Sequence, residues 1–355
     1  MSHQDSRRRP QSSRDTQVGV ENLQDLVDGL TRSEDFWIPD GNIVLVAGET
    51  AFRVYQGLLT LQSTVFADMF ASSSPRTEEC YDGCPVIRLQ DSPRDLVHLL
   101  RVLLPTSYAY FNRRQDDPPI PFHEISAIVR LAHKYHIEGL LNRALSTLQD
   151  SIATRFEFWE DKSYTCPVYI DRHAVIPVVN LARLTDTPSL LPLALYKCCE
   201  LGGSVLDGWK REDGTIEYLS HSDLKRCIDG RNNLAREAFA IVSTIFAPSA
   251  SEECQTPDDC VTSVRIALSD ILDYDGVADP SVLDNWDDVI HLNARSQGRF
   301  GYCSACEKEL VSRDRQYREY IWNSLPQIFD VDVKNWNRDP DEMDHDGGNG
   351  EDAGN

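Results

Sequence analysis

The chain has 355 residues, 57 of them Asp or Glu against 35 Lys or Arg, for a formal charge of −22. Charge of that sign repels phosphate backbones, and no basic stripe interleaved with aromatics occurs, so nucleic-acid binding is not expected. No run of about 18 apolar residues is present to span a bilayer, and the 41% hydrophobic share fits two or three packed modules with some solvated chain besides. Residues 1–33 open on the polar MSHQDSRRRPQSSRD, which has no apolar leader core, and are expected to form a disordered arm. Asn42–Val46 (NIVLV) and Ala51–Tyr55 (AFRVY) are β-branched and aromatic runs separated by Gly48–Thr50, a hairpin signal. Leu58, Leu59, Val65, Phe66, Met69 and Phe70 fit two short helices broken near Gln62-Ser63, with Ser63 placed to cap the second. Pro85–Leu89 (PVIRL) reads as a third strand, and Asp91-Ser92-Pro93 opens a helix carrying Leu96, Leu99, Leu100, Leu103 and Leu104.

Four prolines make 105–121 a loop. Helical spacing returns from Ile125 to Leu148, with a break expected at Gly139. Beyond it the chain reads as almost entirely helical, over Val175–Leu184, Leu190–Leu201, Asp223–Ile228, Leu234–Phe246 and Val261–Leu272. One echo stands out: Val129-Arg-Leu-Ala…Leu140-Leu141…Ala144-Leu145 recurs fifty residues later as Val179-Asn-Leu-Ala…Leu190-Leu191…Ala194-Leu195. Any helical hairpin with Leu and Ala knobs can produce such a match, and no third copy occurs, so no solenoid is expected. The stretch 338–355 is Gly-rich and carries Asp339, Asp341, Glu342, Asp344, Asp346, Glu351 and Asp352, an acidic disordered tail. Its Glu342-x-Asp344-x-Asp346-Gly347 imitates a calcium loop but has Ala353 where the bidentate Glu belongs.

Ten cysteines without a leader segment read as thiols or metal ligands of an intracellular protein, cytoplasmic or nuclear, rather than as a disulfide framework. Cys303-Ser-Ala-Cys306 has the spacing that lets two thiolates grip one tetrahedral metal, and Cys254-x5-Cys260 offers a second pair. Together they are a candidate structural zinc site tying the Cys254 segment to the helix carrying Tyr317 to Trp322; free buried thiols are the alternative, and His291 is a substitute ligand. Cys80, Cys84, Cys166, Cys198, Cys199 and Cys227 have no ligand spacing beyond the weak Cys80-x3-Cys84 and read as small hydrophobes or, for Cys80 and Cys84, as exposed loop thiols. There is no Gly-x-Ser-x-Gly elbow, no phosphate-cradling loop and no His-Glu-x-x-His helix, and pairing any two of so many carboxylates as acid and base would be arbitrary; the chain is not expected to be an enzyme.

The block Asp40-Gly-Asn-Ile-Val-Leu-Val, then Phe52-Arg-Val-Tyr55, Leu58-Leu59, Ser63-Thr-Val-Phe66 and Met69-Phe70, resembles the start of a BTB/POZ domain. Pro85–Leu89 is similar to that family's next strand, Pro93–Leu104 to its following helix, and Leu131-Ala132-His-Lys-Tyr135-His-Ile137-Glu-Gly-Leu140 to its closing helical pair. The Phe36-Trp37 lead-in, the Pro-rich insertion, the helical extension and Ile321-Trp322-Asn-Ser-Leu325-Pro326-Gln-Ile-Phe329 look most like the large fungal group of BTB proteins. Tyr55 stands where many members have His, a substitution a half-buried position tolerates.

The resemblance implies an α+β fold: a BTB/POZ-like domain over 34–152 with a small three-stranded sheet and flanking helices, then a helical extension over 153–250 and a helical C-terminal region over 251–337. It also implies a protein–protein interaction role, with homodimerisation or partner docking through Phe36, Trp37, Ile38, Leu58 and Leu59. Two other roles stay open. One is a substrate-receptor adaptor docking on a cullin scaffold, although Ala71–Thr77 lacks the hydrophobic-x-acid motif of such adaptors. The other is a zinc-dependent regulator or enzyme using the Cys254–Cys306 region.

Overall fold

A central strand buried on both faces organises the first part of the chain. The computed structural model describes residues 29–72, 79–103, 117–161, 163–273, 279–295 (backbone only from 293) and 301–337. Most of the arm expected over 1–33, most of the Pro-rich loop, Leu104, the Ala71–Thr77 stretch beyond Ser72, and the tail at 338–355 lie outside the described residues. The chain divides into two compact units: residues up to Asn112 with Leu131–Gly139, and Arg113–Arg130 with Leu140 onward.

In the first unit, β1 (Thr31–Trp37), β2 (Ile43–Ala47) and β3 (Thr50–Val54) precede α1 (Gln56–Gln62) and α2 (Thr64–Ser72). β4 (Cys80–Tyr81), β5 (Cys84–Leu89) and α3 (Pro93–Leu103) follow. The strands form one sheet in the order β1-β3-β2-β5-β4. NIVLV and AFRVY are antiparallel neighbours, with Leu45 opposite Phe52, and PVIRL runs parallel to β2 on its other side. The expected three strands are therefore adjacent, but the sheet has five. The two additions are edge strands with weak sequence signals. TRSEDFW shows no apolar alternation and pairs with β3 through an irregular register; it begins inside the stretch expected to be disordered. Cys80–Tyr81 is only two residues long, yet its turn is a legible one: Asp82 (φ 51°) and Gly83 (φ 77°) give the left-handed pair that a tight hairpin needs.

β2 has no exposed residue because it is flanked on both edges and covered on both faces. Val44 and Val46 share one face with Ala51, Cys84 and Val86, against which Leu30, Trp37 and Tyr81 pack. Leu45 and Phe52, both fully buried, face the other way by strand alternation. Ser63 caps α2 as expected: its hydroxyl accepts from the Phe66 N–H (3.0 Å) and donates to the Tyr135 carbonyl (2.5 Å). Tyr135 stacks on Phe66 at 4.3 Å and its hydroxyl bonds Asp91, which also pairs with Lys134 at 2.5 Å.

The second unit is mainly helical. β6 (Ile120–Pro121), α4 (Phe122–Lys134, within which the division into units falls), α5 (Glu138–Ser151), α6 (Phe156–Glu160), β7 (Val168–Tyr169), α7 (Val175–Leu184) and α8 (Leu191–Glu200) come first. β8 (Trp209–Lys210), β9 (Ile216–Glu217), α9 (His221–Ile245), α10 (Pro257–Leu272), α11 (Asp287–Arg295) and α12 (Ser304–Ile328) complete it. The strand pairs β6–β7 and β8–β9 interrupt what reads as continuous helix; each strand has two residues, too few to show a period. The break expected at Gly139 lies earlier, at His136, whose φ of 51° ends α4.

That turn is repeated. His136 and Asp186 both adopt left-handed backbone, and the following N–H returns to a carbonyl five residues back, Ile137 to Ala132 (2.8 Å) and Thr187 to Ala182 (2.9 Å). The fifty-residue sequence echo thus corresponds to two helix ends closed by the same αL C-cap. α9 is one helix where two segments were expected. Gly230 is uninterrupted helix because the ring of Phe329 fills its side-chain space; an added Cβ would meet that ring at 2.3 Å. Phe329 closes the IWNSLPQIF motif, whose Ile321, Trp322, Leu325 and Phe329 are all buried at helical spacing.

Candidate metal centre

Four of the ten cysteines converge. Cys254 lies in a short turn after α9, closed by its own N–H on Ser251 carbonyl (3.0 Å). Cys260 lies in the first turn of α10, where Thr256 is the N-cap and Pro257 the first helical residue. Cys303 is the N-cap of α12, and Cys306 sits in its first turn. The sulfurs all lie within 4.8 Å of one another, with Cys254 and Cys303 3.7 Å apart. Zinc–sulfur bonds of about 2.3 Å set tetrahedral sulfurs about 3.8 Å apart, so the set needs little adjustment to close on one ion. The Cys254-x5-Cys260 spacing, loose in sequence, works because the turn and the helix start bring both sulfurs back to one point.

Two helix N-termini point at the cluster, and their unpaired N–H groups and positive dipole ends favour thiolates. Three backbone donors from two segments reach the sulfurs: Ser251 N–H to Cys306 (3.4 Å), Cys303 N–H to Cys260 (3.3 Å), and the Cys306 N–H to Cys303. The last of these draws the Cys303 thiol down to about 7, with partial burial opposing and the neighbouring thiols assisting. Burial pushes Cys306 up to about 12 against the Ser251 donor, and desolvation raises Cys254. Metal binding would displace these protons, since each ligand must be a thiolate. Four such ligands fill a tetrahedral ion and leave no position for a substrate, which makes the donor set structural rather than catalytic.

His291 does not join the set; its Nδ1 lies 2.5 Å from the Glu307 carboxylate. Tyr302 is a supporting residue that the sequence pattern did not single out. It is buried, and its hydroxyl donates to the Ile290 carbonyl at 2.5 Å, while Ser263 donates to the Gly301 carbonyl at 3.3 Å. Both fix the segment leading into the Cys303 knuckle, the outer-shell work that metal sites require. Among the other cysteines, Cys198, Cys199 and Cys227 are buried between α8 and α9 as expected for small hydrophobes, and Cys80 is exposed as expected for a loop thiol; Cys84, expected in an exposed loop, is instead buried in β5, and Cys166, expected to be buried, is exposed.

The expected interface residues separate by depth. Phe36 (7% exposed) and Leu59 (1%) belong to the core of their own unit; Trp37, Ile38 and Leu58 are half-buried. Trp37 packs edge-on against Tyr81 at 5.6 Å beneath the Arg32 guanidinium at 4.5 Å. Leu61, which the sequence reading passed over, is 81% exposed on α1. A separate cavity of about 620 Å³ lies in the second unit among Phe158, Trp159, Tyr164 and Tyr169. Its charged groups are already engaged, Lys197 with Glu200 at 2.9 Å and Arg172 with the Glu200 carbonyl at 2.8 Å, so it presents no constellation comparable to the cysteines. No helix among the described residues is long and apolar enough to cross a membrane. In comparisons with known proteins, no family model matches the chain, and no curated protein matches it.

Proposed function

We propose that the chain is a non-enzymatic protein–protein interaction module of BTB/POZ type that self-associates through its first unit, with zinc in the four-cysteine site fixing its helical C-terminal region. The observation that carries the interaction reading is Leu61. A leucine with 81% of its surface in water stands one helical turn from half-buried Leu58, so the two share a face of α1. A largely exposed leucine continuous with a half-buried one is the kind of apolar face that covering by a second chain would bury.

The order of elements supports the family reading: adjacent hairpin strands, two short helices, a strand parallel to β2, then a helix. So does the bond from the Tyr55 hydroxyl to Asp40 (2.6 Å), which joins the acidic residue before β2 to the position where many members have His. The expected occupant of the α1 face is a second copy of this chain. Size-exclusion chromatography with light scattering on the full chain is expected to show a dimer at tens of micromolar, and Leu61→Glu a monomer with an unchanged circular dichroism spectrum. A wild-type chain that is strictly monomeric at that concentration would sink the self-association reading.

A further inference from the structure

The four sulfurs of the metal centre are not equivalent. Cys260 and Cys306 are each 2% exposed, whereas Cys254 and Cys303 are partly open to solvent. The two accessible sulfurs are also next to each other, 3.7 Å apart. One sits in the turn between Ser251 and Thr256, outside any helix, and the other at the N-cap of α12, so neither is held inside regular structure. Joining them requires closing that gap to a disulfide of about 2.05 Å, a movement the Cys254 turn can supply because none of its neighbours from Ala247 to Asp259 is fully buried.

We infer that Cys254 and Cys303 form an oxidation site at which a peroxide converts the pair to a disulfide and releases the metal. The inference rests on the metal reading above. The chemistry balances with hydrogen peroxide as the two-electron oxidant. One thiolate attacks a peroxide oxygen, the O–O bond breaks and hydroxide leaves, giving a sulfenic acid. The second thiolate attacks that sulfur, the S–S bond forms, and the sulfenic oxygen departs as a second hydroxide; two protons from solvent complete two waters. Each sulfur gives up one electron and the two peroxide oxygens take them. Only Cys260 and Cys306 then remain as ligands, half of what a closed zinc site uses, so the ion leaves. The disulfide keeps the Cys254 turn attached to the start of α12 while the tie between the starts of α10 and α12 is lost.

The test uses the full chain as purified. Its zinc content is measured first, the protein is treated with hydrogen peroxide, released zinc is read with a chromogenic chelator, and remaining thiols are alkylated for mass spectrometry. Digestion before Asp258 separates Cys254 from Cys260, and fragment-ion sequencing separates Cys303 from Cys306. The expected result is a Cys254–Cys303 linked peptide that appears in step with one zinc released per chain. Oxidation there should exceed that at buried Cys198, Cys199 and Cys227 by at least roughly tenfold, since those three are closed to the peroxide while Cys254 and Cys303 are open to it. Cys254→Ser should abolish the linked peptide; if that variant fails to fold, the wild-type map alone decides. Zinc retained with all four thiols still alkylatable, or a disulfide to any other cysteine, overturns the inference. Should the purified chain carry no zinc, the metal reading fails by itself, while the same peptide map still supports or overturns the Cys254–Cys303 pair.

Discussion

The sheet of the first unit and the cysteine-bearing end of the second are held by different physics. Around β2, Val44, Leu45, Val46, Ala51, Phe52 and Val54 are at most 1% exposed, so apolar burial together with the strand ladder orders the centre of the sheet. From Ala247 to Asp259 no side chain is fully buried, and the first one that is, Cys260, is a sulfur of the cluster. What anchors this stretch besides is polar: Arg313 donates to the Ser249 hydroxyl (2.8 Å) and the Ala247 carbonyl (3.2 Å). Even the adjoining helix face mixes charge into its core, with Asp314 paired to Arg318 at 3.0 Å and Arg318 to Glu160 at 2.7 Å. Where apolar residues are too sparse to order a segment, hydrogen bonds, ion pairs and, on the proposed zinc reading, ligand bonds take their place, as in small domains that lack a sufficient core.

Metal removal is the most direct way to break that contrast. Structural zinc contributes about 10–16 kcal/mol to zinc-finger peptides; in this chain a high-affinity chelator is expected to collapse hydrogen-exchange protection over 247–260 and 301–306 while leaving β2 and β3 protected. Loss of protection in both regions together, or in neither, would refute the division of labour. The converse experiment is Phe52→Ala, which removes a fully buried ring from the sheet. It should lower the exchange stability of the β2 and β3 amides by about 3–5 kcal/mol and leave the zinc content of the purified chain unchanged.

A smaller effect sharpens the comparison through pH. Burial raises the Asp314 carboxyl to about 6 in spite of Arg318, so the folded chain holds this proton more tightly than the unfolded chain does. The stabilisation is fully present below the ordinary carboxylate value and is lost as pH rises from about 4 to about 6. Relative to Asp314→Asn, which cannot ionise, wild type should therefore gain about 1–3 kcal/mol between about pH 7 and about pH 4.5 in urea unfolding. A difference that stays constant with pH would show that the ion pair cancels the cost of burial.

Much of this was legible in the residues. NIVLV, AFRVY and PVIRL carry β-branched density that only a buried sheet satisfies; Ser63 announces a cap, Val175–Leu184 a helix, and Cys303-x2-Cys306 a metal knuckle. Less was legible where a residue's role depends on partners far along the chain. Asp223–Ile228 and Leu234–Phe246 read as separate helices until Phe329, nearly a hundred residues after Gly230, occupies that glycine's side-chain space. Phe36 reads as an interface residue until its strand joins β3 and buries it, and Leu61 gives no signal of its own until α1 turns it outward.

Sequence by itself determined the α+β class, the central strands and which four cysteines were candidates, because periodicity and ligand spacing are local properties. Tertiary structure alone decided that the loosely spaced Cys254 and Cys260 meet Cys303 and Cys306, that two of the four sulfurs face solvent, and which apolar side chains remain exposed. Those outcomes depend on how chain ends and helix starts meet in space, a long-range arrangement that no short window of residues encodes.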